Sequence, residues 1–238
     1  WVDMDLDAIS DPAAALVGIG INPIAAKEAL GNSTAGRCDV YDDCFHVTVG
    51  VPRMQEGKAS IAHFGMILGE NLLVTLRHGE IGLIEQTRHN YRSFFTKHAE
   101  TLGFLLFDLW DNLIEVFHKE LLTVEEDVEA LQAGVLNDVD DEIFGRVNAV
   151  THYIFLLRKN ALADRDVLEQ LAMRKSAFVS PTTQPYLANM VGTLERLGGD
   201  LTTEREILAE LLALYLGIVS HRTNRVVNRL TIISVIFL

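Results

Sequence analysis

Along the chain the spacing of apolar positions changes character near Gly79. Before it, apolar residues alternate with polar ones or cluster in short runs between turn signals. After it they recur at three and four, the period of a helix that buries one face. Residues 1–90 therefore read as mixed α and β. Trp1-Val2-Asp3 reads as an edge strand. Asp11-Pro12 and Asn22-Pro23 each put a proline at a first helical turn, and the second helix should run to about Leu30 and stop at Gly31. Three β regions follow: residues 37–41 with 44–51, then 58–68, then 71–77. In the last, Leu72, Val74 and Leu76 alternate against Leu73 and Thr75. Gly57 and Gly69-Glu70-Asn71 supply the turns, so an antiparallel meander is predicted.

The second half predicts long helices. Residues 97–136 carry Leu102, Leu105, Leu106, Leu109, Leu113, Val116 and Phe117 on one stripe, with Glu125, Glu126, Asp127 and Glu129 on the solvent side. A break at 137–140 precedes a second helix over 141–174, with Ile143, Val147, Val150, Ile154, Leu157 and Leu162. Two long helices joined by a short acidic turn make a helical hairpin. Ser180-Pro181-Thr182-Thr183-Gln184-Pro185 separates it from residues 186–238, which contain no proline. As one helix that segment would reach roughly 80 Å at about 1.5 Å per residue. Its heptad-like steps are Leu187, Val191, Leu194, Leu201, Leu208, Leu212, Tyr215, Val219 and Val226, which predict packing along other helices or along copies of itself. Gly198-Gly199 is expected to break or kink it, or to serve as a hinge, since the pair costs about 2 kcal/mol of helix propensity against alanine.

The last stretch, Leu230-Thr231-Ile232-Ile233-Ser234-Val235-Ile236-Phe237-Leu238, is too short to span a bilayer, which takes about 20 apolar residues. It reads as the first turns of a transmembrane helix that continues beyond it, the other reading being a buried C-terminal helix end. His221, Arg222, Arg225 and Arg229 stand just before it, and no acid falls between Val219 and Leu238. Basic residues beside a membrane helix mark its cytoplasmic side.

Charge narrows the function. The chain has 33 acidic and 20 basic side chains, a net charge of −13, which argues against a nucleic-acid binder and suits cations. Cys38 and Cys44 cannot make a disulfide framework or a four-thiolate zinc site. Gly18-Ile19-Gly20 lacks the third glycine of a phosphate loop, and no nucleophile elbow, CxxC pair or HExxH occurs. The eight histidines are scattered. His46 and His63 fall in strand regions and could meet across a sheet, and Cys44 lies near His46, but no further thiolate completes a soft-metal site. Asp42-Asp43 and the acidic residues 138–142 fall in turns and read as solvated. No catalytic residue and no small-molecule substrate are expected, so the chain does not read as an enzyme.

One region carries a more specific pattern. Tyr215-Leu216 opens it, Ser220-His221-Arg222-Thr223-Asn224 follows, and Leu230-Thr231-Ile232-Ile233 leads into the apolar end. This resembles the CorA family of divalent-cation transporters, with its Tyr-Leu start, Ser-x-x-Thr-Asn and Leu-Thr-Ile-Ile. The order of the rest agrees. Trp1-Val2-Asp3 resembles the family's early Trp strand, Asn22-Pro23 its His-Pro helix start, and Asn71 to Arg77 its Asn-x-x-Val-Thr strand. Leu157-Arg158-Lys159 is similar to its Leu-Arg-Arg helix, and Pro185-Tyr186-Leu187 to the start of its stalk.

The resemblance implies an α+β chain in four parts. An N-terminal αβα domain with a mainly antiparallel sheet (1–96) precedes a long helical hairpin (97–180). A very long C-terminal stalk helix (181–229) then runs into the first transmembrane helix (230–238). It further implies a homopentamer held in the inner (plasma) membrane by C-terminal helices beyond Leu238, with this part on the cytoplasmic side. Transport would be passive flow of Mg2+, with Co2+ or Ni2+ as further cargo, and cytosolic Mg2+ bound between subunits would hold the channel shut. Asn224 matches a pore-facing asparagine, Val227 and Leu230 match the apolar gate below it, and Leu238 continues that line. Their spacing keeps the first three close to one helix face. The regulatory metal pair falls on Glu28 and Asn189. The family has an aspartate at the second position, and an asparagine oxygen can ligate a cation but brings no charge. That exchange leans toward a ZntB-like zinc transporter, whereas the detailed match of the last helix leans toward Mg2+. A soluble scaffold that self-associates through its last helix is the reading from a different class.

Overall fold

In the computed structural model the described residues are 1–31, 36–55, 58–98, 102–137, 141–173, 179 and 181–237. The turn at Gly57, the acidic turn at 138–140, Ser180 and Leu238 lie outside them. The chain forms two compact units, residues 1–120 with 156–199, and residues 121–155 with 200–238.

The first unit begins with strand β1 (Val2–Asp5) and two short helices, α1 (Pro12–Gly18) and α2 (Pro23–Ala29). Both helices start as their sequences dictate. The Asp11 carboxylate accepts the Ala14 N–H at 2.9 Å, and Asn22 Oδ1 accepts the Ile24 N–H at 2.9 Å. Each cap satisfies a donor that the first turn cannot use, and Pro12 and Pro23 have no N–H to satisfy. Gly20, at φ 95°, makes the turn between them, a conformation that disfavours any side chain.

Strands β2 (Arg37–Val40), β3 (Phe45–Gln55), β4 (Lys58–Leu68) and β5 (Leu73–Arg77) form the predicted antiparallel meander. The Leu72 carbonyl accepts the Gly69 N–H at 2.8 Å and closes the turn before β5. β1 adds at the far edge, parallel to β5, giving the order β1-β5-β4-β3-β2. The register places Phe45, Val47, Val49, Val51, Phe64, Met66 and Leu68 on one face, all buried. Ile67, Val74, Leu76 and Met4 lie on the other, packed with Leu16 of α1 and Ala25 and Ala26 of α2. With both faces covered, this is a helix–sheet–helix sandwich and the chain is α+β.

Helix α3 (Gly82–His98) comes next, followed by α4 (Leu102–Asn137), α5 (Asp141–Met173) and α6 (Gln184–Ile236). The helix expected over 97–136 starts instead at Leu102, and Lys97 belongs to the end of α3. No proline or glycine falls between Leu83 and Leu102, so the local pattern contains no stop signal.

The expected break at Gly198-Gly199 is absent, because α6 runs through both residues. The physical reason lies in packing. A Cβ on Gly198 would stand 3.1 Å from Leu162 Cδ2, so glycine lets α5 and α6 approach closely there.

The buried seam of α6 is a strict heptad at Leu187, Leu194, Leu201, Leu208 and Tyr215, with Met190, Leu197 and Leu211 as the second position. Val191 and Leu212, assigned to the seam from spacing, are only half-buried beside it, and Val226 is exposed. In the second unit the missing seam position is Glu204. Burial pushes its carboxyl above the usual carboxylate range, and Glu125, Glu129 and Asp200 push it further. Glu204→Leu is expected to stabilise the chain by about 1 kcal/mol, allowing for solvent screening of a partly exposed acid. A raised folded pKa destabilises only the ionised form. Denaturant titration should therefore show the gain at pH 7 and a smaller one as pH falls through about 4.5.

Candidate functional site

Of the expected site residues, those that are described lie on two helices, α2 and α6. Glu28 is in the last turn of α2, half exposed, with a carboxylate oxygen 3.7 Å from Arg37 Nη2. Arg37 Nε also pairs with Asp39 at 2.8 Å. The β2 edge thus brings a guanidinium between two acids, and a cation at Glu28 would compete with it. Asn189 is exposed on the second turn of α6, and its carbonyl accepts the Thr193 hydroxyl at 3.4 Å. Glu28 and Asn189 stand on separate elements of the first unit.

The other residues fall in the second unit, toward the end of α6. Asn224 is exposed there, as are Val227 at 52% and Leu230 at 59%. Leu238 lies outside the described residues. At about 100° per residue, Asn224, Val227 and Leu230 occupy an arc of about 120°. All described residues from His221 to Phe237 are exposed, including Ile232, Ile233, Val235 and Ile236. An exposed apolar run of this kind marks an interaction surface. Its hydroxyls bond to their own helix: those of Thr223, Thr231 and Ser234 donate to the carbonyls of Val219, Val227 and Leu230 at 3.0, 2.9 and 2.9 Å. Hydroxyls satisfied on their own helix are compatible with an apolar surround.

The thiol and histidine candidates separate. His46 pairs in register with Ile67 and His63 with Gly50, so the two histidines do not meet as cross-strand partners. Burial lowers the pKa of both rings, and Lys159 lowers that of His63 further. Cys44 is buried and its thiol is pushed up to about 12. A protonated thiol is a poor metal ligand. Among the described residues no group of three or more His, Cys, Asp or Glu side chains is placed to hold a metal ion. No helix among the described residues is long and apolar enough to cross a membrane.

One polar residue of consequence was hidden in an apolar pattern. Asp164 of α5 is 0% exposed and occupies the seam that also holds Leu157, Ala161, Leu168 and Leu171. Both its carboxyl oxygens lie within hydrogen-bond reach of the Gly50 N–H, at 3.1 and 3.3 Å. β2 pairs with β3 only as far as Thr48, so Gly50 lies just past the end of that ladder, and Asp164 supplies the acceptor. Gly50 itself permits the approach, since a Cβ there would lie 2.6 Å from Asn160 Oδ1. The step from Leu157 to Ala161, Asp164 and Leu168 was the available signal in the sequence.

The fold is therefore an α+β sandwich with a helical hairpin and a 53-residue final helix whose exposed end is first basic, then apolar. The family model for CorA-like Mg2+ transporter proteins matches residues 1–238, and the chain belongs to that family. Its members are transporters, not enzymes. The chain is 29% identical to the cobalt/magnesium transport protein CorA of Thermotoga maritima over 226 residues, covering 92% of this chain and 63% of that protein. The complete structure of the CorA magnesium transporter from Methanocaldococcus jannaschii superposes with a TM-score of 0.85 at 19% identity, covering 99% of this chain and 75% of that one. The ZntB cytoplasmic domain from Vibrio parahaemolyticus gives 0.76 at 14% identity, over 94% of this chain and 87% of its own. The two structural likenesses concern the fold.

Proposed function

We propose that this chain is the cytoplasmic part of a Mg2+ transporter of the CorA type, working as a homopentamer in the inner membrane. The observation that carries the reading is the family match along the whole of residues 1–238. The exposed apolar end of α6 supports it, because such a surface needs lipid or neighbouring helices to cover it. Residues 1–96 then form the αβα domain, 97–180 the hairpin, 181–229 the stalk and 230–238 the start of the first membrane helix. Asn224, Val227, Leu230 and Leu238 would line the conduction path, with Mg2+ as cargo and Co2+ or Ni2+ as further candidates.

Glu28 and Asn189 would face each other across subunits as the regulatory cation pair. Asn189 brings no charge and Arg37 competes for Glu28, so Mg2+ should bind this pair weakly. The melting temperature of the assembled protein is expected to move little with Mg2+. Asn189→Asp should add a Mg2+-dependent rise of about 3 °C at about 10 mM. An equal rise in both proteins would remove Asn189 from the regulatory site. Zinc transport is the second reading, favoured by the uncharged Asn189. Competition between Mg2+ and Zn2+ for uptake by the full-length protein separates the two.

A further inference from the structure

We propose that Arg222, Arg225 and Arg229 form a binding stripe for the headgroups of anionic phospholipids, on the side of α6 turned away from the conduction path. The proposal rests on the reading that α6 enters a membrane. At about 100° per residue the three arginines fall within about 60° of one another. The centre of that arc lies about 170° from the centre of the arc holding Asn224, Val227 and Leu230. All three arginines are exposed, and the ion pairs among the described residues do not involve them. No acid in the sequence lies between Val219 and Leu238 to neutralise them.

This charge is out of keeping with the rest of a chain whose net charge is −13. A stripe of unpaired guanidiniums that serves an acidic protein must find its anions elsewhere. Position identifies the source. The stripe ends at Arg229, and Leu230 begins the exposed apolar run, so the arginines fall at headgroup depth when that run enters the bilayer. Guanidinium forks bind phosphate oxygens in pairs, which a phosphodiester headgroup supplies. Because the stripe faces away from the path, lipid could bind there without blocking ion flow.

Vesicle flotation of the chain tests this with phosphatidylcholine alone and with phosphatidylcholine and phosphatidylglycerol mixed at about 3:1. Three surface arginines should raise affinity for the mixed vesicles roughly 100-fold at low salt, and about 0.5 M NaCl should remove most of the gain. Arg222→Gln, Arg225→Gln and Arg229→Gln together should abolish the preference, while lysine at all three positions should keep most of it. Equal binding to both vesicles would overturn the arginine stripe and leave the membrane reading standing. Binding to neither would overturn both. Loss of the preference in about 10 mM inorganic phosphate would assign the stripe to a free phosphate ligand and overturn the lipid.

Discussion

Replacing Asp164 by alanine is expected to destabilise the fold by about 3 kcal/mol, read as a fall in melting temperature of roughly 10 °C. The substitution leaves the Gly50 N–H without its acceptor at the place where β2 no longer covers β3. It also opens a cavity in the seam of α5. Asp164→Asn keeps an acceptor oxygen and should cost about 1 kcal/mol. The pH dependence separates this from a packing effect. Burial pushes the Asp164 carboxyl well above the usual range, so the folded chain holds its proton longer than the unfolded chain does. Stability from the neutral acid is therefore complete below about pH 4 and declines as pH rises toward the folded pKa. The advantage of the native chain over Asp164→Asn should be greatest near pH 4 and shrink above it. A difference that is flat or grows with pH would mean that Asp164 is folded as a carboxylate.

Asp3→Ala should have an effect of similar size, about 3 kcal/mol, for an electrostatic reason. The Asp3 side chain is 7% exposed and accepts from the Thr75 hydroxyl at 2.8 Å, from Arg77 Nε at 3.1 Å and from Arg88 Nη2 at 2.6 Å. Through it β1, β5 and α3 share one carboxylate. Removing it leaves Arg77, itself only 11% exposed, with Asp5 and the Gly79 carbonyl as its remaining partners. A buried charge with too few partners is the main cost. Arg88→Gln loses a half-exposed partner and should cost less than about 1 kcal/mol. Chemical denaturation of the two variants checks the order. If Arg88→Gln matches Asp3→Ala, the buried Arg77 is not what the network protects.

The fold was legible where local chemistry dictates it. Asp11-Pro12 and Asn22-Pro23 start helices because cap and proline act within one turn. β4 was readable from its apolar run between turn signals, and its boundaries, Lys58–Leu68, match the expectation. What was illegible depends on contacts distant in sequence. The end of α3 at His98 has no breaker nearby in the sequence. Gly198-Gly199 signals a break by propensity, yet the helix continues, and at Gly198 the missing Cβ leaves room for the close approach of Leu162 of α5.

The site shows the same division. The exposed basic and apolar end of α6 follows from composition along one helix. The competition of Arg37 for Glu28 depends on how α2 meets the β2 edge, and the partner of Asp164 is Gly50, 114 residues away in sequence.

The proposed role is Mg2+ transport by the full-length protein. Ion uptake by the full-length protein in sealed proteoliposomes, under an inside-negative potential, tests it most directly. Mg2+ entry well above that of empty vesicles, in preference to Zn2+, is expected. Vesicles that contain the inserted protein yet admit no Mg2+ would contradict it.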